Sequence, residues 1–360
     1  MIKENKPGMN DFSKYRSELM GLAIISIIFF HYSEDALSHY SAGIHYTITY
    51  WYRMLIGSIG VEIFLFVSGM GLYFSMKRGG SSDILGFYKK RFVRVLIPYL
   101  VYASIAWFIM DVIQEGRGIG LFIYDLSTLG FWYDGRKTIW FVAFILTMYV
   151  VFPLIYEMVE NKKSGTKTII VIAIVIFILE CFRVSNPEAY NDTEIALTRI
   201  PIFILGAYFG KKIYDKQAIT PGYYALFISG IAAGFINFCF EYLHDSGKAE
   251  EGIVKILYSY LHHFDRYINA WYSLGIMFLA ILILRKIIGK FKPLDSILNR
   301  SGALSFELYM THVTVRRIFI LAGLPIWLFK CYFVVIIISI VASVILNKVS
   351  DLIKVKMLHE

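Results

Sequence analysis

The sequence predicts an all-α, polytopic membrane protein of about ten transmembrane helices, with both termini in the cytoplasm. Its 360 residues are 57% hydrophobic and only 18% charged, and the mean hydropathy is +0.59. Soluble domains carry roughly 25% charged residues. The apolar residues also fall into stretches of about 20, the length that a helix needs to cross a hydrocarbon layer of ~30 Å.

Ten apolar stretches mark the predicted spans. They cover residues 18–33, 54–76, 92–113, 138–159, 168–184, 195–212, 222–243, 267–287, 302–322 and 326–347. The first follows a basic N-terminus, as a signal peptide would, but FFHYSEDAL offers no small-residue cleavage site, so we interpret it as a retained span. Because the polar stretches between spans are short, we expect residues 1–360 to form a single integral membrane domain with no appended soluble domain.

Charge placement predicts the orientation of these spans. With the N-terminus inside, 24 of the 36 Lys and Arg residues fall in cytoplasmic segments, as the positive-inside rule requires. The net charge of +9 is therefore largely explained by topology and gives little reason to expect a nucleic-acid partner. The external segment 115–137 mixes glycine, aromatic and apolar residues, which favours an interfacial or re-entrant element.

Ionisable residues inside apolar spans usually mark a functional pathway, because a charge at membrane depth is costly. Counting 1.5 Å per residue from the inner end of each span predicts His31 and Glu62 at about 21 Å. The same count predicts Arg199 and His312 at about 18 Å. We therefore predict that these four residues share one level.

A histidine beside a carboxylate at this depth suits a general base, because the carboxylate stabilises the imidazolium. Arg199 would stabilise an oxyanion or neutralise Glu62. The structural alternative is a set of core side chains that hydrogen-bond between helices.

Two further features predict ligand contacts. Arg91 and Arg94 lie at i and i+3 on one helix face at the cytoplasmic end of the third span, where two guanidinium groups suit bidentate binding of phosphate. A Gly-Gly-Ser-Ser turn precedes them, and an anchor against anionic lipid is the alternative. In the second span, the small residues Ser68 and Gly69 leave space beside the helix. This space would allow close packing of another helix or the entry of a narrow ligand arm.

Six strings in this order resemble the membrane acyltransferase family 3, the ten-span enzymes that O-acylate bacterial surface sugars. The likeness covers most of the chain. The strongest strings are LMGLAIISIIFFH, GVEIFLFVSG and YKKRFVRVLIPY; IWFVAFILTMYVVFPLI, RIPIFILGAYFG and SGALSFELYMTH add support.

The family's hallmarks are a first-span Arg, a His eleven residues later, and an Arg-x-x-Arg pair at the third span. His31 matches the histidine, and Arg91 and Arg94 match the pair. The first arginine does not match, because Met20 occupies its position. Arg16 lies four residues earlier, about one turn away on the same face.

The resemblance implies an acyltransferase that uses acyl-CoA, commonly acetyl-CoA, and no metal. The acceptor would be a hydroxyl of a cell-surface or lipid-linked sugar, and the enzyme would lie in a bacterial inner membrane. We expect the catalytic group to contain His31, Glu62, Arg199 and His312, with donor contacts from Arg91, Arg94, Arg16, Ser68 and Gly69. Direct transfer and an acyl-His31 intermediate both remain open, as do the acceptor, the acyl chain and the oligomeric state.

Two other classes of protein fit part of the pattern. A proton-coupled transporter or flippase of a lipid-linked sugar would also carry ionisable residues at one depth, although we see no internal repeat of the kind common in transporters. A non-enzymatic partner in glycan assembly is the third alternative, which the missing first-span arginine favours.

Overall fold

The computed structural model describes residues 7–79, 83–247 and 252–359, and all regular structure in these ranges is helical. The Gly-Gly-Ser-Ser turn falls mostly outside these ranges, at residues 80–82. The α-helices in chain order are α1 (Asn10–Lys14), α2 (Arg16–His39), α3 (Gly43–Leu55), α4 (Gly60–Gly79), α5 (Ile84–Trp107), α6 (Ile119–Leu126), α7 (Leu129–Asp134), α8 (Trp140–Glu160), α9 (Ser164–Ser185), α10 (Pro187–Leu197), α11 (Ile200–Tyr214), α12 (Pro221–Asp245), α13 (Gly252–His263), α14 (Asp265–Ile287), α15 (Lys292–Ala303), α16 (Ser305–Leu321) and α17 (Phe329–His359).

Within the described ranges, nine helical segments are long and apolar enough to cross a membrane, which confirms the predicted all-α polytopic class. They match nine of the ten predicted stretches. The remaining stretch, 302–322, contains the end of α15 and the 17-residue α16, with a break between them at Leu304. Helix α16 is also polar for a membrane span, since it carries Glu307, His312 and two arginines.

Local sequence explains where several helices begin. Asp83 starts α5, and its carboxylate accepts a hydrogen bond of 2.8 Å from the Gly86 backbone N–H. Asn186 caps α10 in the same way, and Pro187 occupies the first helical position, where a missing N–H costs nothing. These caps satisfy backbone donors that a helix start leaves without partners.

The chain divides into two units. Unit 1 comprises Met1–Gly71 and Pro201–Ala303, and unit 2 comprises Leu72–Ile200 and Leu304–Glu360. His31, Glu62, Arg16, Ser68 and Gly69 belong to unit 1. Arg91, Arg94, Arg199 and His312 belong to unit 2.

The core of unit 1 forms around the N-terminal segment. Phe12 in α1 is completely buried, and its ring lies 5.5–6.4 Å from the rings of Phe66, Phe209, Phe227 and Phe278. Such tilted and edge-on aromatic contacts stabilise beyond the area that they bury. The segment before the first span is therefore part of the helical core.

Unit 2 has α8 packed against α5, and α16 packed against α17. The Phe87 and Phe152 rings stack at 5.8 Å between α5 and α8. Between α16 and α17, the Thr311 hydroxyl donates to the Ser339 carbonyl oxygen over 3.1 Å. The predicted external element at 115–137 consists of the short helices α6 and α7.

Candidate active site

His31 and Glu34 form a hydrogen-bonded pair on α2 in unit 1. The two atoms, His31 Nδ1 and Glu34 Oε2, are 2.8 Å apart, and both side chains are partly exposed. The pair forms because residues three apart on a helix lie on one face. When Nδ1–H donates to the carboxylate, the other ring nitrogen, Nε2, keeps its lone pair and is able to accept a proton.

Glu34 was not among the predicted site residues. The predicted carboxylate lies on a neighbouring span, although the string HYSE already carries the i, i+3 spacing. Glu34 stands where the expectation placed Glu62.

Glu62 does not share the level of His31. A methyl group built on Gly60 would lie 2.7 Å from the Ala23 carbonyl oxygen and 2.7 Å from the Ile27 side chain, so Gly60 lies opposite these two residues of α2. His31 is six residues outward from their midpoint, about 9 Å, and Glu62 is two residues inward from Gly60, about 3 Å. The prediction that His31 and Glu62 lie at one depth is therefore wrong by about 12 Å along the helices.

Contacts between helices place His31 near the end of unit 1 that is predicted to face outside. The Ser26 hydroxyl donates to the Ile56 carbonyl oxygen over 2.6 Å. The Ser58 hydroxyl donates over 3.0 Å to Asn269, which is four residues into α14. His31 is five residues beyond Ser26, about 7.5 Å further out. The histidine pair is therefore close to the outer ends of its neighbours.

Aromatic and carboxylate side chains surround the same outer end. The Tyr50 hydroxyl of α3 donates to Asp245 of α12 over 3.0 Å. The Trp51 and Tyr242 rings lie 5.4 Å apart. Helix α3 also packs on α2, because the Tyr52 hydroxyl donates to the Ser26 carbonyl oxygen. These side chains form an amphipathic surface beside the histidine helix.

Arg16 lies far from His31 along α2. It is the first residue of α2 and is exposed, and fifteen residues of helix, about 22 Å, separate it from His31. Met20, at the family's arginine position, is half-buried. Arg16 therefore lies about one turn from the position of the family's arginine and far from His31, and its contact with the donor stays a prediction.

Gly69 is occupied by helix packing. A methyl group there would overlap the Phe203 carbonyl oxygen of α11 and lie 3.0 Å from the Ala207 backbone nitrogen. Gly206 of α11 fits reciprocally against the Phe66 carbonyl oxygen. This packing favours the interpretation of Gly69 as a helix contact, and the donor contact expected there stays a prediction. Ser68 is half-buried, and its role stays a prediction.

Arg91 and Arg94 lie in the second turn and the next turn of α5 in unit 2, at the predicted cytoplasmic end. The Arg91 Nε donates to the Ser75 hydroxyl over 3.2 Å, and Arg94 is exposed. Both guanidinium groups lie within electrostatic reach of the Tyr149 hydroxyl of α8. Lys77 adds a third cation at this end and pairs with a glutamate of α8 at 2.6 Å. The arrangement offers hydrogen-bond donors and positive charge to an anion.

Arg199 is buried in unit 2. Its guanidinium carbon lies 5.1 Å from the Trp140 ring centroid, and the group also donates to the Ile195 carbonyl oxygen. Its charge reaches the Tyr309 hydroxyl of α16. A buried guanidinium stacked on an indole is held rigidly and keeps its charge.

His312 is completely buried, and its Nε2 lies 3.3 Å from the Tyr332 hydroxyl of α17. It follows Tyr309 by three residues. His312 therefore lies about 4.5 Å along α16 from the residue that the Arg199 charge reaches. This burial between two helices fits the structural alternative of a core histidine.

A buried carboxylate pair at the outer side of unit 2 was also missed. Arg136 forms an ion pair with Asp125 and lies 3.7 Å from Asp111, and both aspartates are almost completely buried. Burial raises the pKa of Asp125 to about 6, against the opposing attraction of Arg136. The two acids are close enough to affect each other, and no sequence spacing links them.

A family comparison supplies the remaining finding. The model of acyltransferase family 3, described as an acyltransferase domain, matches residues 19–348 of the chain. This range contains all nine predicted site residues except Arg16, and it contains Glu34 as well. No curated protein and no solved structure matches the chain.

Proposed function

This chain belongs to acyltransferase family 3, and from that membership we propose that it transfers an acyl group, most simply acetyl, from acyl-CoA to a sugar hydroxyl. His31 is the general base and Glu34 positions it. The observation that carries the assignment is the 2.8 Å contact between His31 Nδ1 and the Glu34 carboxylate. Membership in a family of acyltransferases favours this reaction over transport or flipping of a lipid-linked sugar.

The proposed step conserves atoms and charge. The acceptor hydroxyl attacks the thioester carbonyl carbon while His31 Nε2 takes its proton. The new C–O bond forms, the C–S bond breaks, and the departing thiolate recovers the proton from the imidazolium. Glu34 stabilises the imidazolium between these events and holds the ring in the tautomer whose Nε2 carries the lone pair.

The outer end of unit 1 supports a sugar as acceptor. A sugar presents an apolar C–H face and a rim of hydroxyl groups, and a binding site for it needs apolar surface with a few placed polar groups. Trp51 and Tyr242 supply ring faces, and Asp245 supplies a carboxylate acceptor. A cell-surface or lipid-linked glycan in the bacterial inner membrane would reach this end from outside.

The cytoplasmic end of unit 2 supports a nucleotide-bearing donor. CoA carries phosphate groups, and paired guanidinium groups bind phosphate in bidentate geometry. Arg91 and Arg94, with the Ser75 hydroxyl between α4 and α5, are the proposed phosphate contacts.

The test is transfer of labelled acetyl from acetyl-CoA by the purified chain, with glycan fractions of the producing cell as acceptors. His31→Ala is expected to reduce transfer by about 10²–10⁴-fold, the usual contribution of a general base. His39→Ala, on the same helix and exposed, is the matched control and is expected to leave transfer unchanged. A folded His31→Ala protein with normal turnover would remove the assignment.

A further inference from the structure

A shallow cavity lies along one face of α15 in unit 1. Its volume is about 400 Å³, and its lining residues are Lys292, Asp295, Ser296, Asn299 and Arg300. They recur every three or four positions, so they share one helix face. The predicted topology places this face on the cytoplasmic side.

The adjoining face of α15 is fixed to α2. Leu298 is buried, and a methyl group on Gly21 would overlap the Leu298 backbone. Gly302 meets the Ser17 carbonyl oxygen in the same way. Backbones this close hold the helix rigidly, so the cavity face is a fixed surface.

The exposed edge of the cavity is positively charged. Lys292 and Arg300 are exposed, about 12 Å apart along the helix, and neither has a carboxylate partner among the described residues. The carboxylates lie at the inner edge: Asp295 is half-buried and accepts the Gly289 backbone N–H over 2.7 Å, and the buried Glu18 of α2 accepts from the Asn299 side chain over 3.3 Å. The Ser296 hydroxyl lies between the two cations.

Apolar side chains flank the cations. Phe291 and Ile297 are 56% and 55% exposed, although each is large and hydrophobic. Cations beside exposed apolar residues on an amphipathic helix are typical of a segment at the headgroup level of a bilayer. Basic residues on the cytoplasmic side attract anionic lipid.

We propose that this cavity binds the phosphate headgroup of an anionic phospholipid of the inner leaflet. The phosphate lies between Lys292 and Arg300 near Ser296, and the acyl chains lie along Phe291 and Ile297. A soluble phosphate compound shares this chemistry, but it gives no reason for the two exposed apolar side chains. None of the five lining residues is among those assigned to acyl transfer.

The experiment uses the full chain in nanodiscs of phosphatidylcholine, with and without phosphatidylglycerol, and lipid retention is measured by native mass spectrometry. Lys292→Gln with Arg300→Gln is expected to weaken retention of phosphatidylglycerol about 30-fold, because both cations that contact the phosphate directly are lost. Lys286→Gln with Lys290→Gln removes the same charge from neighbouring exposed positions and is the matched control. It is expected to retain the lipid.

Equal losses in the two double variants would overturn the proposal, because general surface charge would then explain retention. A thermal shift caused by inorganic phosphate in phosphatidylcholine alone, with none from phosphatidylglycerol, would also overturn it in favour of a soluble ligand. If the Lys292 and Arg300 variant does not fold, Ser296→Asp places a negative charge in the cavity at an exposed position. Ser296→Asp is expected to lose the lipid, and retention by that variant would contradict the proposal.

Discussion

Gly69 and Gly71 of α4 provide a test of whether this helix face is packed or open. A methyl group at Gly69 would overlap the Phe203 carbonyl oxygen, and the Ala207 nitrogen is 3.0 Å away. Both neighbours are backbone atoms of α11, so they move only if the helices separate. For Gly71, two residues later, no described atom lies within 4 Å of the added methyl.

The magnitudes follow from these surroundings. Overpacking a close contact typically costs about 1–3 kcal/mol, and replacing glycine by alanine inside a helix returns about 1 kcal/mol. Gly69→Ala is therefore expected to lose roughly 1–2 kcal/mol of stability against backbone atoms that resist displacement. Gly71→Ala is expected to gain up to about 1 kcal/mol.

The assay is unfolding of the purified variants in mild detergent, with a denaturing detergent titrated in parallel and intrinsic fluorescence as the readout. The difference between the two variants, about 1–3 kcal/mol, is the informative quantity, because detergent effects on the wild type cancel. Gly69→Ala as stable as Gly71→Ala would refute the close approach of α4 and α11. It would also restore the ligand-arm interpretation of this face.

Three further predictions concern single side chains. Glu34→Gln should lower kcat by at least about tenfold, because the amide cannot stabilise the His31 imidazolium; an unchanged pH–rate profile would contradict this. Arg91→Ala should raise KM for acetyl-CoA about tenfold, the typical loss of a charge-assisted hydrogen bond, but should leave KM unchanged for an acyl thioester without a nucleotide. Because the raised pKa of Asp125 means that the folded state holds its proton more tightly than the unfolded state, stability should fall as pH rises from about 4 to 6. Asp125→Asn should therefore raise the melting temperature at pH above about 7 and lose this advantage near about pH 4, whereas Asp134→Asn, at an exposed neighbour that only adds repulsion to Asp125, should show a smaller change of the same sign.

Much of the fold could be predicted because it depends on local sequence. The length and apolarity of each stretch predicted helices, and nine of the ten stretches coincide with helices able to span a membrane. The short helices α3 and α13 were not predicted, because their amphipathic patterns lie in the intervals between spans. The division of 302–322 between α15 and α16 was also missed, since nothing local marks Leu304 as a break.

The site could be predicted only in part. His31 and the pair Arg91 and Arg94 came from position and motif, and their functional roles remain predictions. Glu62 was placed beside His31 by assuming that α2 begins at the inner surface. The position of Gly60 opposite Ala23 and Ile27 shows a different register between α2 and α4. In this register Glu62 lies about 12 Å deeper than His31.

The sequence by itself determined the family, the helical class and the side of the membrane on which each connection is predicted to lie, because hydrophobic length, charge bias and motif order are written along the chain. Tertiary structure alone decided whether Glu62 lies at the level of His31 and whether Gly69 is packed against a neighbouring helix. Both depend on the register between helices, which is set where small residues let two backbones meet. That register is a property of pairs of distant segments, and no single stretch of sequence contains it.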